Sequence, residues 1–218
     1  MLTLYTYFRS SAAYRVRIAL GLKGLPYASE FVHLVHDGGQ HHSAAYRAIN
    51  PQQLVPSLRT EEGNVLTQSL AIMEYLDEAY PDTPALLPAD TLGRARVRAL
   101  AQAVACEIHP LNNLRVLRYL TQELSLSDEQ KTAWYQHWIR EGLSAMETML
   151  TSSSATGRFC HGDTPSLADC CLVPQVFNAR RFACPTDAYP TIERIVQACE
   201  QLPAFVQAAP EQQADAQA

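Results

Sequence analysis

Between Leu2 and Leu20 the chain changes its period, and that change restricts the available folds more than any other feature. Leu2-Thr3-Leu4-Tyr5-Thr6-Tyr7 alternates like a strand, whereas Ala12, Val16, Ala19 and Leu20 recur at helical spacing until Lys23-Gly24 closes the helix. The connection between them is short and tight, so a strand hands over directly to a helix that begins at Ser10-Ser11. A helix N-terminus presents backbone N–H groups and a partial positive charge, and it stabilises an anion such as a thiolate. Capping of the helix by one serine is the other use of the same residues, and both uses stay open on this segment alone.

The pattern continues as a strand over Ala28 to Leu34, a Gly38-Gly39 loop and a short helix from Ser43 to Ile49 ended by Asn50-Pro51. A hairpin of Pro56-Ser57-Leu58-Arg59 and Asn64-Val65-Leu66 follows, turning at Glu62-Gly63, and then a helix from Leu70 to Tyr80. The order β-α-β-α-β-β-α predicts an α/β thioredoxin-like domain with a mixed sheet and helices on both faces. Pro81-Asp82-Thr83-Pro84 and Pro88 make a stiff connector. Beyond it the pattern is all helical, which predicts two domains, 1–82 and 88–218.

In the second domain a long helix is expected from Asp90 to about Leu124, kinked at Pro110. Ser127 with Gln130 and Ser166 with Asp169 read as capping boxes for two further helices. Helices are also expected over Thr191 to Gln201 and Pro203 to Ala209, and the Gln- and Ala-rich end, Glu211 to Ala218, reads as frayed.

A net charge of −5 gives no overall attraction to nucleic acid or to an anionic membrane, so anion binding must come from local basic groups. No stretch approaches the roughly 18 continuous apolar residues of a membrane span, and the start of the chain has no secretory-leader pattern. A cytoplasmic location is expected. The six cysteines, Cys106, Cys160, Cys170, Cys171, Cys184 and Cys199, form no C-x-x-C pair and read as buried free thiols. None precedes Cys106, so the first strand-to-helix turn has no redox thiol. The histidines show no metal-ligand spacing, and no metal site is expected.

Three other places concentrate chemistry. Val55-Pro56 opens a strand, as an edge-strand proline or as a cis bond that would turn the Val55 main chain toward a peptide-like ligand. Gln68-Ser69 precedes the helix Leu70 to Tyr80 and suits a carboxylate, with a plain N-cap at Ser69 as the alternative. The stretch Cys106 to Arg115 gathers His109, Asn112, Asn113 and Arg115 around a mid-helix proline, either beside a cleft or on a solvated face. Arg180-Arg181, a pair of a kind usually found at surfaces, is able to grip carboxylates bidentately.

Tyr7-Phe8-Arg9-Ser10-Ser11, Arg15-Val16-Arg17-Ile18-Ala19-Leu20, Asp37-Gly38-Gly39, Val55-Pro56, Gln68-Ser69, Leu70-Ala71-Ile72, Glu74-Tyr75-Leu76 and Leu172-Val173-Pro174-Gln175-Val176 together carry a resemblance that covers almost the whole chain. The sequence resembles the zeta class of glutathione transferases, which includes maleylacetoacetate and maleylpyruvate isomerases. The resemblance implies the glutathione transferase architecture, an α/β thioredoxin-like domain followed by an all-α domain, with glutathione as cofactor and a homodimeric assembly. It implies that the segment from Ser10 to Arg15 holds the glutathione sulfur, that Val55, with Pro56, pairs with the tripeptide backbone, and that Gln68 and Ser69 grip its γ-glutamyl carboxylate. His41 is a further glutathione contact, His109, Asn113 and Arg115 fall at positions that touch glutathione or an acidic substrate, and Arg181 matches an active-site arginine. With Arg9, these groups would hold a small dianionic maleyl substrate.

The family has a cysteine where this chain has Ala12, and usually a tryptophan where it has Tyr14. The thiolate must therefore come from bound glutathione, with Ser10 and Ser11 alone to activate it. Addition of that thiolate to the conjugated C=C makes the bond single, and rotation followed by elimination gives the trans product without consuming glutathione. The expected function is glutathione-dependent cis–trans isomerisation of maleylacetoacetate or maleylpyruvate. Its competitors are a general conjugating or dehalogenating transferase and a non-catalytic glutathione-binding protein, which would be expected to lose the two serines.

Overall fold

The structure, a computed structural model, describes residues 1–216. The chain divides into two compact units, Met1–Leu86 with Glu200–Ala218, and Leu87–Cys199. The first unit holds β1 (Leu2–Thr6), α1 (Ser11–Leu22), β2 (Tyr27–Phe31), α2 (Ala44–Ile49), β3 (Ser57–Arg59), β4 (Val65–Thr67) and α3 (Ser69–Ala79), in the expected order. β1 pairs parallel with β2 and antiparallel with β3, and β3 pairs antiparallel with β4, giving the strand order β2-β1-β3-β4.

Alternation along β1 sends successive side chains to opposite faces. Thr6 meets Arg17 of α1 at 3.1 Å, while Tyr5 packs edge-on against Tyr46 of α2 with ring centres 6.0 Å apart. Helices therefore cover both faces, which is the thioredoxin-like α/β arrangement. Because β3 lies between β1 and β4, Pro56 precedes an inner strand and not an edge, and the Val55–Pro56 peptide is cis.

α1 closes at Lys23, followed by Gly24 at φ +64°. The Lys23 ammonium, with its side chain 0% exposed, donates to Asp77 Oδ1 at 3.0 Å and to the Pro84 carbonyl at 3.1 Å. The same Asp77 oxygen accepts the Leu86 N–H at 2.7 Å. One buried ion pair thus ties α1, α3 and the proline connector together. Asp77→Ala leaves a buried ammonium uncompensated and is expected to cost about 3–5 kcal/mol. The denaturant midpoint should fall at unchanged slope, and a loss under about 1 kcal/mol, the worth of an ordinary surface pair, would contradict this account.

The second unit holds α4 (Thr91–Gln102), α5 (Leu114–Gln122), α6 (Asp128–Thr151), α7 (Leu167–Arg181) and α8 (Pro190–Cys199). The single helix expected to run to about Leu124 is not formed. α4 passes into a π-helical turn, Ala103–Ile108, then a 3-10 turn, His109–Asn112, and the chain stops at Asn113 in extended backbone, φ −66° and ψ 147°. Pro110 has no N–H to give the preceding turn. The Asn113 side chain then accepts the Arg115 N–H at 3.1 Å and starts α5 as a new helix.

Both capping boxes form, Ser127 with Gln130 and Ser166 with Asp169. Five cysteines are buried, but Cys106 is exposed, against expectation. Among the described residues no helix is long and apolar enough to cross a membrane.

The C-terminal stretch corrects two expectations. From Glu200 on, the chain belongs to the first compact unit, where α9 (Pro203–Ala208) packs on α1. The end that reads as frayed continues instead through 3-10 turns at Pro210–Gln212 and Ala214–Ala216, with Asp215 buried at 7% exposure. Gln217 and Ala218, the last part of that expectation, lie outside the described residues.

Candidate active site

The turn from β1 into α1 is built from its main chain outward. Ser10 N–H donates to the Tyr7 carbonyl at 3.0 Å, which closes a four-residue turn with Phe8 and Arg9 at its corner. Ser10 Oγ accepts the Ala13 N–H at 3.2 Å and its carbonyl accepts the Tyr14 N–H at 2.8 Å, so Ser10 is the N-cap of α1. An accepting oxygen leaves the hydroxyl proton available to a ligand. Ser11 is the first residue of α1 and is buried, while Arg9 is exposed, with its guanidinium carbon 4.8 Å from the centre of the Phe8 ring. Tyr5 and Tyr7 pack with Val32, Tyr46 and Val55 in one buried cluster.

Arg15, 2% exposed, runs from α1 to the start of α3, where its Nη1 donates to Ser69 Oγ at 3.2 Å. The two halves of the expected sulfur and carboxylate sites are thereby joined through one buried guanidinium. Gln68, not Ser69, occupies the N-cap position of α3, in left-handed backbone at φ 68° and ψ 116°. A residue held there costs about 1–3 kcal/mol, and such positions concentrate at ligand sites. With two neutral polar side chains, a helix N-terminus and a cation behind them, this end of α3 suits a carboxylate.

The residues around Val55 are fixed from α2. Tyr46 Oη donates to the Leu54 carbonyl at 2.8 Å and lies 3.1 Å from Ser57 Oγ, and Asn50 Nδ2 donates to the same carbonyl at 2.8 Å. Gln52 and Gln53, in the same segment, extend the cluster: Gln68 Nε2 donates to Gln52 Oε1 at 2.8 Å, and Gln53 Oε1 lies 2.8 Å from His42 Nδ1. His42 packs against His41, which is 7% exposed. Gly39 is required beside it, since its φ is +104° and a Cβ would stand 2.4 Å from the His41 ring. The structure thus brings Val55, Pro56, Gln68, Ser69, Arg15 and His41 into one connected set within the first unit. Gln52 and Gln53 were missed as members, and the only signal for them was the polar Asn-Pro-Gln-Gln run.

The remaining residues lie in the second unit. Asn113 and Arg115 share the first turn of α5, Asn113 as its N-cap and Arg115 exposed, and His109 opens the 3-10 turn before them. Asn112 turns inward and donates to the Tyr135 carbonyl at 3.2 Å. The arginine pair divides its roles. Arg180 Nη2 bonds Glu193 Oε2 of α8 at 2.7 Å, whereas Arg181 is exposed beside Phe182, whose ring stacks on Tyr135 at 3.7 Å. Burial pushes the Tyr135 hydroxyl above its ordinary range, with the Arg181 charge pulling the other way.

Comparison with known proteins agrees with this fold. Residues 4–84 match the model of the glutathione S-transferase N-terminal domain. The sequence is 51% identical, over 99% of this chain and 98% of its counterpart, to a protein of Vibrio cholerae named probable maleylacetoacetate isomerase. A solved holo structure of maleyl pyruvate isomerase, described as a bacterial glutathione S-transferase in zeta class, matches with a TM-score of 0.94 at 50% identity, covering 98% of this chain and 99% of that one. The maleylacetoacetate isomerase of Methylobacterium extorquens AM1, solved with malonate and glutathione bound, matches with a TM-score of 0.92 at 43% identity, covering 97% of both chains. This chain belongs to the zeta class of the glutathione S-transferase family.

Proposed function

We propose that the chain is a glutathione-dependent cis–trans isomerase of a small dianionic maleyl compound, maleylacetoacetate or maleylpyruvate, acting as a cytoplasmic homodimer. The observation that carries the reading is the turn itself: a cysteine-free strand-to-helix junction with Ser10 and Ser11 at the start of α1, joined through Arg15 to the start of α3. Relatives of nearly equal identity carry either substrate's name, so the proposal covers both. Six free cysteines suit a reducing compartment, and the family likeness supports the homodimer.

The residues of the first unit fit glutathione. Gln68 and Ser69 receive its γ-glutamyl carboxylate, with Arg15 acting through Ser69 as a positioning residue. Val55 offers main-chain pairing beside Pro56, and His41 closes the same side. Glutathione when bound supplies a thiolate that adds to the conjugated C=C, leaves a single bond to rotate and departs unchanged. Ser10 and Ser11 hydroxyls and the N-terminus of α1 stabilise that negative charge. In the first unit Arg9, and in the second unit Arg181, are the cations assigned to substrate carboxylates and to negative charge that develops during the reaction, while His109, Asn113 and Arg115 of the second unit are assigned to glutathione or the acidic substrate. In this reading the thioredoxin-like unit binds glutathione, and the helical unit, Leu87–Cys199, carries most of the residues assigned to the substrate.

The test is to follow the absorbance of each maleyl compound with and without glutathione. Isomerisation of at least one, only when glutathione is present and with its thiol content unchanged at the end, is expected. Absence of glutathione-dependent isomerisation of both, or consumption of glutathione in step with substrate, would sink the proposal.

A further inference from the structure

The chain's C-terminal end reaches back to the turn that carries the serines. Phe8 N–H donates to Asp215 Oδ2 at 2.9 Å, across 207 residues of sequence. Arg17, buried at 1% exposure, donates from Nη2 to the Phe8 carbonyl at 3.1 Å, from Nη1 to the Tyr7 carbonyl at 3.4 Å and from Nε to the Ala208 carbonyl at 3.0 Å. Both carbonyls at the corner of the turn and the N–H between them are therefore fixed by one arginine of α1 and one aspartate beyond α9. Tyr14 adds a bond from its hydroxyl to the Phe205 carbonyl at 3.5 Å. Asp215 also charges the neighbourhood of Arg17, where burial brings the guanidinium down to about 10 and the carboxylate opposes that shift.

We propose that Asp215 and Arg17 are positioning residues for the sulfur-binding turn, and that the C-terminal segment holds this turn in its working shape before any ligand arrives. The proposal rests on the reading of Ser10 and Ser11 given above. Besides the bond from Arg17 to the Thr6 hydroxyl on β1, the contacts fall on the Tyr7–Phe8 and Phe8–Arg9 peptides, which lead into Arg9. Asp215 gives its one hydrogen bond, through Oδ2, to the Phe8 N–H, and its Oδ1 is buried without a protein partner. That desolvation is tolerated while the other oxygen fixes the Phe8 N–H. Without this acceptor the Tyr7–Phe8 peptide is held only through its carbonyl, by Ser10 N–H and Arg17, which loosens the lead into Arg9 and α1.

The test compares Asp215→Ala with Asp215→Asn, which keeps an oxygen acceptor for Phe8. Ionisation of the bound glutathione thiol is followed by its ultraviolet thiolate absorbance against pH, beside kcat and KM. A misplaced site costs rate more than affinity, so Asp215→Ala should lower kcat about tenfold, with KM for glutathione within about threefold. It should also raise the pH of thiol ionisation by about one unit, equivalent to a tenfold loss of thiolate. Asp215→Asn should recover most of both effects. A wild-type ionisation curve in Asp215→Ala, whatever that variant's stability, would overturn the proposal.

If Asp215→Ala does not fold, the wild-type protein still decides. The Phe8 amide should exchange its hydrogen at least about 10²-fold more slowly than in an unstructured peptide without glutathione present. Free exchange until glutathione is added would overturn the proposal. A wild-type protein that fails to ionise bound glutathione near neutral pH would refute the sulfur site itself, and the positioning role with it.

Discussion

Ser11→Ala is expected to lower the glutathione-dependent isomerisation rate by about 10²-fold or more, the usual cost of removing one fixed donor from a site of developing charge. The chain has no cysteine before Cys106, and Ala12 and Ala13 contribute no donor side chain to the first turn of α1, so along that turn the other hydroxyl is that of Ser10. Ser10→Ala should act on two quantities at once. Its oxygen caps α1 through the Ala13 N–H, so about 1 kcal/mol of stability should go with it. Its rate loss should be nearer tenfold, since the helix N-terminus and Ser11 remain. Steady-state rates with the thermal midpoint of each variant separate these effects. If Ser10→Ala and Ser11→Ala both kept the wild-type rate, the sulfur site would be misassigned even with the isomerase activity intact.

The largest expected loss of stability lies in the second unit, at Asp169. This side chain is 0% exposed and accepts the Cys160 N–H at 2.9 Å, the Ser166 N–H at 2.8 Å and the Ser166 hydroxyl at 2.8 Å. It starts α7, the helix that ends at Arg181, and ties that start to the loop before it. Asp169→Ala strands three buried donors, each costing about 1–3 kcal/mol, so a loss of about 4 kcal/mol or more is expected. Asp169→Asn keeps acceptors for only part of the set and should fall between Asp169→Ala and the wild type. Chemical denaturation measures the difference, and a loss near 1 kcal/mol for Asp169→Ala would mean that the network is already wet.

Most of the first unit was legible because its signals are local. The change of period after Tyr7, Lys23-Gly24, the Glu62-Gly63 turn and Asn50-Pro51 each mark a boundary within a few residues, whereas β2, expected from Ala28 to Leu34 with no such signal at its end, runs from Tyr27 to Phe31. Ser127-Gln130 and Ser166-Asp169 were legible for the same reason. The long-range contacts were not. Nothing in the composition of the last residues announces that Asp215 meets Phe8, since the bond spans 207 positions, and a polar tail without periodicity reads as frayed. The break between α4 and α5 was half legible: Pro110 marked a disturbance, but packing determines that it becomes a π turn, a 3-10 turn and a fresh cap at Asn113. The left-handed backbone of Gln68 was hidden too, because glutamine shows no preference that would disclose it.

The account's central claim is that this chain lends no thiol of its own and works by ionising one that it binds. The most direct measurement is the ultraviolet titration of glutathione on the wild-type protein beside the Ser10→Ala, Ser11→Ala double variant. The claim predicts that the wild-type complex holds the thiolate at neutral pH, and that the double variant, left with only the N-terminus of α1, ionises the thiol at a clearly higher pH, closer to free glutathione. Identical curves for the two complexes, both matching free glutathione, would contradict it.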